Sequence, residues 1–284
     1  MPAYTRAMKF LLIARAALAV SGSAAALPEA GLVLDLDAAK GVTLEDGGKV
    51  AKWSNQAPGA VAKDFVKRDD GRKDAGSGRP LLLESVAELG GKPALDFRQQ
   101  ELVCLDEDAF DGLSKGSGHT WIAVLAPHEQ RVGLKDVNSF FGNLRNGGKY
   151  EGIWGCLNDD NTLWWGVRNG VTFGRFDENN PQVMGPKLET GKFVILAGRM
   201  AAGTGAVALE LFVNGEPAGK GSFPVSAEAN PSRMAVGQER DAIQHPGVES
   251  FDGRIARFLI WERPLEDREM EATLEVLQKA YFKK

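Results

Sequence analysis

The chain is poor in cysteine and histidine, and this excludes several kinds of site. Only two of its 284 residues are cysteine and three are histidine. Two cysteines are too few for a disulfide scaffold. His119, His128 and His245 lack the i, i+4 spacing of a zinc-binding helix. The sequence also lacks a G-x-S-x-G elbow and a phosphate-binding glycine loop, so we expect neither that type of serine hydrolase nor a nucleotide site.

The chain also lacks an excess of basic charge. Its 34 lysines and arginines are outnumbered by 38 acidic residues, which gives a net charge of −4. This balance argues against a general nucleic-acid surface. Glycine is abundant: it makes up 34 of the 284 residues, or about 12%, against a usual share of about 7%. We therefore expect a turn-rich globular protein with no nucleic-acid partner.

Residues 1–26 have the pattern of a secretory signal peptide. Arg6 and Lys9 precede an apolar stretch at 10–20, and small residues follow at 23–26. The stretch is too short to span a bilayer, and Arg15 interrupts it, so an amphipathic N-terminal helix is the alternative. Cleavage after position 26 would remove three basic residues and no acidic ones, changing the net charge from −4 to −7.

The signal peptide predicts export to the periplasm, the cell surface or the medium, with no membrane span in the mature chain. An oxidising compartment permits a disulfide between Cys104 and Cys156. Two buried thiols are the alternative interpretation.

Beyond residue 30 the sequence reads as strands separated by turns. Apolar and polar residues alternate in segments rich in Val, Ile, Phe and Trp, which is typical of half-buried strands. Asn-Gly pairs at 146–147, 169–170 and 214–215 predict tight hairpins. The predicted strands are residues 31–37, 49–54, 93–97, 120–126, 139–144, 163–167, 193–200, 206–213 and 254–261.

Helical spacing of apolar residues is clear only at 264–282, where Pro264 suits a helix start. A shorter helix is a further candidate at 106–113. The pattern predicts an all-β fold, an antiparallel two-sheet β-sandwich with a short C-terminal helix, formed as one domain by residues 27–284.

Several segments, in order, resemble one family. They are GLVLDLDAA, KVAKWSNQAPGAVAKDF, GRPLLLESVAELGGKPALDF, LELFVNGEPAG and FDGRIARFLIW. This order is similar to that of LamG-like (laminin G type 3) domains of the concanavalin A-like lectin/glucanase superfamily. The resemblance implies a jelly roll whose members bind carbohydrate or protein, sometimes with calcium, while others cleave glycans. Ala256 departs from the family, which often has an acidic residue at this point.

Residues 150–176 form the most aromatic segment of the chain. Sugar rings present apolar C–H faces that stack on aromatic rings, and their hydroxyls need polar partners. Simple packing of these aromatics in the core is the alternative, and neighbouring Trp164 and Trp165 must face opposite sides of a strand. The candidate ligand-binding residues are Tyr150, Trp154, Asn158, Trp164, Trp165 and Arg168.

Acidic and amide side chains at 158–161 and 177–180 raise the question of calcium, which prefers oxygen ligands. Asp159 and Asp160 are the candidate metal ligands. Neither cluster has EF-hand spacing, and Asn and Asp are also ordinary turn residues. Turn formation is therefore the alternative interpretation of both clusters.

No strand carries the paired carboxylates that superfamily glucanases need, spaced as E-x-D-x-x-E. Glu151 lies beside the aromatic segment without an evident partner, and Tyr150 and Arg168 are the candidates for a lyase site. We therefore expect an exported, non-catalytic domain that recognises carbohydrate or an extracellular polymer. The alternatives are a glycoside hydrolase or polysaccharide lyase of the same superfamily, and a structural envelope component that binds a protein partner.

Overall fold

The structure is a computed structural model that describes residues 26–67, 78–130, 135–239 and 249–282. Apart from Ala26, the predicted signal peptide lies outside the described residues. In the described part of the chain, no helix has the length and apolar character needed to cross a membrane.

Within these ranges the chain forms strands β1 to β18, three short 3-10 helices and one α-helix. The strands are β1 (Leu32–Asp37), β2 (Val42–Leu44), β3 (Val50–Ser54), β4 (Asp64–Val66), β5 (Leu81–Val86), β6 (Lys92–Arg98), β7 (Leu102–Cys104), β8 (His119–Pro127), β9 (Asn138–Gly142), β10 (Arg145–Asn146), β11 (Tyr150–Leu157), β12 (Thr162–Asn169), β13 (Gln182–Lys187), β14 (Val194–Met200), β15 (Ala206–Val213), β16 (Glu216–Pro224), β17 (Ala235–Val236) and β18 (Asp252–Trp261). The helices are α1 (Asp267–Tyr281) and the 3-10 turns Asp46–Gly48, Ala87–Leu89 and Asp111–Ser114.

The strands form two antiparallel sheets, which confirms the predicted β-sandwich. Sheet I has eight described strands in the order β16-β15-β14-β8-β18-β6-β5, with β1 also paired to β18. Sheet II has ten described strands in the order β13-β12-β11-β9-β17-β7-β4-β3-β2, with β10 paired to β11. Alternate residues of each strand face the other sheet, so one face of each sheet is buried in a shared core.

Aromatic rings fill the space between the sheets. The Trp121 ring lies 5.3 Å from that of Phe141 and 6.0 Å from that of Trp165, centroid to centroid. Glycines make room for them: a Cβ added to Gly198 would lie 2.2 Å from the Trp121 indole nitrogen, and one added to Gly155 would lie 2.3 Å from Phe140. The glycine excess therefore serves close packing as well as turns.

Helix α1 covers the outer face of sheet I. Its buried residues Met270, Leu277 and Tyr281 pack in one cluster with the outward side chains of β8 and β18. Glu266 and Glu269 form a capping box at its first turn, which holds backbone N–H groups that would otherwise lack acceptors. This leaves the outer face of sheet II as the face that the helix does not cover.

The three predicted Asn-Gly hairpins have different outcomes. Asn214 and Gly215 turn β15 into β16 with φ angles of 53° and 88°, the conformation of a type I′ turn. The pair at 146–147 lies in the β10–β11 hairpin. The prediction of a hairpin at 169–170 is wrong, because a long loop to β13 begins there. At its start, the Asn169 side chain accepts the Val171 N–H and donates to the Pro224 carbonyl.

Both cysteines are free and buried. Cys104 belongs to the core between the sheets, and Cys156 lies on the outer face of sheet II. The structure therefore favours two separate thiols over a disulfide.

Candidate functional site

The candidate site lies on the outer face of sheet II, where β11 pairs with β12. Register places Gly152 opposite Arg168, Trp154 opposite Gly166, and Cys156 opposite Trp164. Because side chains alternate along a strand, Trp154, Trp164 and Arg168 share the outer face while Ile153, Trp165 and Val167 enter the core. A Cβ added to Gly166 would lie 3.1 Å from the Trp154 ring, so glycine leaves room for that indole.

Arg168 lies between two aromatic rings. The carbon at the centre of its guanidinium is 4.5 Å from the ring centroid of Tyr150 and 4.5 Å from that of Trp154. Phe173 stacks on Tyr150 with centroids 4.6 Å apart and an angle of 15° between the planes. Such contacts hold a cation in place through the ring quadrupole, so the guanidinium has a fixed position.

The hydrogen-bonding capacity of Arg168 is largely unused. The residue is 4% exposed, and its Nη1 donates to the Gly174 carbonyl at 3.0 Å. Among the described residues, its buried Nε has no acceptor, and the same holds for the buried Trp154 Nε1. Burial lowers the pKa of Arg168 to about 10, which leaves it a cation at neutral pH. The site therefore combines a buried positive charge with two buried N–H donors that have no acceptor among the described residues.

A cavity of about 110 Å³ is lined in part by Arg168 and Trp154, and we call it the Arg168 cavity. A water molecule takes about 30 Å³ of liquid volume, so this space suits a few waters or one polar group of a larger ligand. Val137 and Leu144 supply apolar wall. Among the described residues, the charged and aromatic lining consists of Tyr150, Trp154, Arg168, Arg175, Glu239 and Glu249.

A second, open depression lies at the β11–β12 turn. It is lined by Lys135, Asp136, Asn158, Asp159, Asp160 and Arg175. Arg175 pairs with Asp136 and lines both this depression and the Arg168 cavity. The turn and Arg168 are at opposite ends of the hairpin, about 20 Å apart at roughly 3.3 Å per strand residue.

The predicted metal ligands lie in this turn. Asp160 accepts the Thr162 N–H at 2.9 Å, and hydrogen bonding to Thr162 is the main reason that the pKa of Asp160 is lowered. Asp177, in the other acidic cluster, accepts the N–H of Asn179 at 2.9 Å. Across the described ranges, no three His, Cys, Asp or Glu side chains come together as metal ligands. Both clusters thus have the geometry of turns.

The structure brings three of the six predicted binding residues together: Tyr150, Trp154 and Arg168. Trp164 lies on the same face but is covered, with its ring 5.5 Å from Trp154 and its Nε1 donating to the Asp136 carbonyl. Trp164 therefore packs against Trp154 instead of facing the cavity. Asn158 lies at the far turn.

Trp165, also a predicted binding residue, packs in the core between the sheets. It is fully buried, 5.5 Å from the His119 ring and 6.0 Å from Trp121. Strand alternation predicts that Trp164 and Trp165 face opposite sides, but the sequence alone does not say which one faces the core.

Sequence reasoning missed Arg175, Glu239 and Glu249. The two glutamates lie in loops far along the chain from β11, and no local motif marks them. Glu151 lies beside Tyr150 in sequence, but its carboxylate accepts the backbone N–H of Asn230. Neighbouring residues of a strand face opposite ways, and Glu151 does not line the Arg168 cavity.

Solved structures of three carbohydrate-related proteins share this fold. Trypanosoma rangeli sialidase in complex with sialic acid has a TM-score of 0.53 at 16% identity, over 90% of this chain and 34% of that chain. Domain 4 of AbnA, a GH43 extracellular arabinanase from Geobacillus stearothermophilus in complex with arabinotriose, has a TM-score of 0.53 at 18% identity, over 87% of this chain and 99% of that chain. The binding domain of botulinum neurotoxin DC in complex with SialylT has a TM-score of 0.50 at 10% identity, over 88% of this chain and 52% of that chain.

At these identities the likeness is one of fold alone. The chain spans about a third of the length of the sialidase, 34%. A search of curated protein sequences finds no match.

The sequence profile of one family matches residues 117–271, from the start of β8 into α1. This segment includes β11, β12 and most of the lining of the Arg168 cavity. The chain therefore belongs to the Laminin G 3 family of the concanavalin A-like lectin/glucanases superfamily.

Proposed function

We propose that this protein is an exported carbohydrate-recognition domain whose ligand binds at the Arg168 cavity. The observation that carries the proposal is the buried Arg168, held between Tyr150 and Trp154 with N–H donors left over. Leaving buried donors unpaired is unfavourable by about 1–3 kcal/mol each. The aromatic contacts that offset this keep Arg168 in place beside the cavity, and the exposed ring of Phe173, which stacks on Tyr150, suits the C–H face of a sugar.

The exposed ring of Phe173 extends the site outward. Its side chain is 56% exposed although it stacks on Tyr150. The cavity holds only part of a sugar, so the rest of a glycan would lie over this loop. The similarity to a domain solved with arabinotriose supports the proposal, because that domain is matched over 99% of its length.

Isothermal titration of the purified chain against a panel of plant, bacterial and host oligosaccharides tests this function. At least one should bind, and a ligand at 100 times its Kd should stabilise the fold by about 2.7 kcal/mol. The Tyr150→Ala variant should bind at least tenfold more weakly. Repeating the titration with EDTA tests the expectation of calcium.

The matched control is Phe212→Ala. Phe212 is also partly buried with an arginine over its ring, Arg199 at 5.8 Å, but it lies on sheet I. This variant should bind as the wild type does. Absence of binding by every sugar, together with crosslinking to a protein partner, would replace this function by the protein-binding alternative.

A second candidate function is glycan cleavage. Glu239 and Glu249 line the same cavity, and hydrolysis of a glycosidic bond needs two carboxylates about 5–9 Å apart. Release of reducing ends or unsaturated products would support it, provided that Glu239→Gln and Glu249→Gln each abolish the release. Binding without any product favours the recognition function.

A further inference from the structure

A groove runs along helix α1 on the outer face of sheet I. It consists of two open depressions, of about 350 and 470 Å³, that share Leu274 in their linings. Helix α1 lines one side, and β14 with the end of β15 lines the other. We call it the α1 groove. Its apolar lining consists of Phe193, Ile195, Phe212, Met270, Leu274 and Phe282.

Part of this apolar lining remains uncovered. Phe212, Leu274 and Phe282 are only half-buried, although they pack on the cluster beneath α1. On the other side of the helix, Leu277 and Tyr281 are buried in that cluster. Removing apolar surface from water is favourable, so a partner that fills the groove gains by covering the three exposed edges.

The dimensions of the groove suit a short helix. Its lining on α1 extends from Asp267 to Phe282, which is about 22 Å at a rise of 1.5 Å per residue. A partner helix of the same length has about 15 residues. The two depressions lie on either side of Leu274, and each can take one apolar side chain. Positions i and i+7 of a helix are about 10 Å apart on one face, which matches half of the groove.

The backbone around the groove is already hydrogen-bonded. Strand β14 pairs with β15 on one side and with β8 on the other, and the backbone of α1 bonds within the helix. An extended partner segment would therefore find no sheet edge here and would leave its own N–H and C=O groups unpaired. A helix satisfies these groups internally and binds through its side chains.

The edge of α1 beside the groove is acidic. Asp267, Glu271 and Glu275 line it at four-residue spacing, so they lie along one side of the helix. Glu271, in the middle, is exposed and forms no ion pair among the described residues. The basic residues of the lining, Lys192 and Arg199, each pair with a glutamate. The groove therefore favours a partner that carries positive charge.

We propose that the α1 groove binds an amphipathic, basic helix of a partner protein. Apolar residues at i and i+7 of that helix fill the two depressions, and a lysine or arginine lies opposite Glu271. This inference is independent of the proposed sugar site, because the Arg168 cavity is on the outer face of sheet II, on the other side of the sandwich.

The test uses random peptides of this length, displayed on phage and selected on the purified full chain. Enriched peptides are synthesised and titrated by fluorescence anisotropy. They should carry apolar residues at i and i+7 together with lysine or arginine, and their binding should weaken as salt is raised. Absence of any enriched peptide, or enrichment of acidic or non-periodic sequences, would overturn the proposal.

Variants then assign the binding to the groove. Leu274→Lys and Phe212→Ala should each weaken binding of the peptides at least tenfold, while Tyr150→Ala, at the sugar site, should leave it unchanged. Peptides that bind both groove variants as tightly as the wild type would contradict the assignment. Thermal denaturation checks that each variant is folded.

The charge of Glu271 is tested separately. Glu271→Lys changes an exposed side chain, so the fold should persist, and basic peptides should bind at least threefold more weakly. The matched control is Glu228→Lys, which changes the net charge equally at an exposed position outside the groove. Equal effects of the two substitutions would show that only net charge matters and would overturn the contact with Glu271. Sugar binding should be the same in both variants.

Discussion

Arg168 and Arg257 are both buried, yet they differ in what surrounds the charge. Arg257 donates to the Asp35 carboxylate from two nitrogens, at 2.9 and 2.8 Å. Arg168 has two aromatic faces, one backbone carbonyl and no ion pair within the described ranges. One arginine completes an ion pair with a carboxylate, and the other is surrounded mainly by aromatic rings.

This difference predicts opposite responses to the same substitution. Arg257→Met should destabilise the fold by about 3–5 kcal/mol, because it leaves Asp35 charged and buried. Arg168→Met should change the unfolding free energy by less than about 1 kcal/mol, since an apolar chain replaces an unpaired charge. Urea denaturation of both variants measures this, and equal losses would contradict the view that Arg168 serves binding rather than folding.

His119 should make stability depend on pH. Its Nδ1 donates to the Leu113 carbonyl at 2.7 Å, its Nε2 is buried without a partner among the described residues, and burial lowers its pKa from 6.5 to about 4. The unfolded chain therefore takes up a proton below pH 6.5 that the folded chain accepts only near pH 4. Stability should fall across this window by about 3 kcal/mol.

Comparison with His119→Gln isolates this contribution, because carboxylates also titrate in the same range. The variant does not titrate, so its unfolding free energy should fall less steeply than that of the wild type between pH 6.5 and 4. Parallel curves would show that His119 is protonated in the folded protein.

At the scale of the elements, glycines decide where the aromatic rings fit. Gly198 on β14 lies beneath the Trp121 indole, where an added Cβ would be 2.2 Å from its nitrogen. Gly198→Ala should therefore destabilise the fold by about 1–3 kcal/mol, the usual range for overpacking a core. Thermal denaturation measures it.

Gly147 provides the control for this substitution. An added Cβ there meets no atom within 4 Å, so Gly147→Ala should leave the Tm nearly unchanged. Similar losses in both variants would mean that backbone freedom, and not contact with Trp121, accounts for the effect.

Glycines within a strand also affect whether the sequence predicts it. Strands such as β8 and β15 are rich in branched and aromatic residues, and their alternation is readable. Strand β11 was missed because Gly152 and Gly155 interrupt its apolar pattern, although both are required by close neighbours in the fold. Its position next to β12 is a property of the sheet that no local signal carries.

The part of the candidate site whose residues are close together in the sequence could be predicted. Tyr150, Trp154 and Arg168 lie within one hairpin, so composition could mark them. Glu239 and Glu249 enter from loops, and their approach to β11 depends on how the whole sheet folds. Residues brought together in this way leave no spacing in the sequence.

At the scale of the whole molecule, the two thiols report on the integrity of the sandwich. Burial raises the pKa of both Cys104 and Cys156, and each lies under a different layer of the fold. A thiol reagent should react with neither cysteine in the native protein and with two in denaturant. Reaction of one thiol under native conditions would show that its layer opens.

The position of β18 determines when the protein can fold. This strand is the last of the described strands, yet it lies inside sheet I, between β8 on one side and β6 and β1 on the other. The Asp35–Arg257 ion pair joins residues 222 positions apart. Until residues 252–261 are in place, β1, β6 and β8 therefore lack the strand with which they pair. Sheet I closes only when β18 is in place, and a chain that stops before β18 lacks the strand that joins the two halves of its sheet.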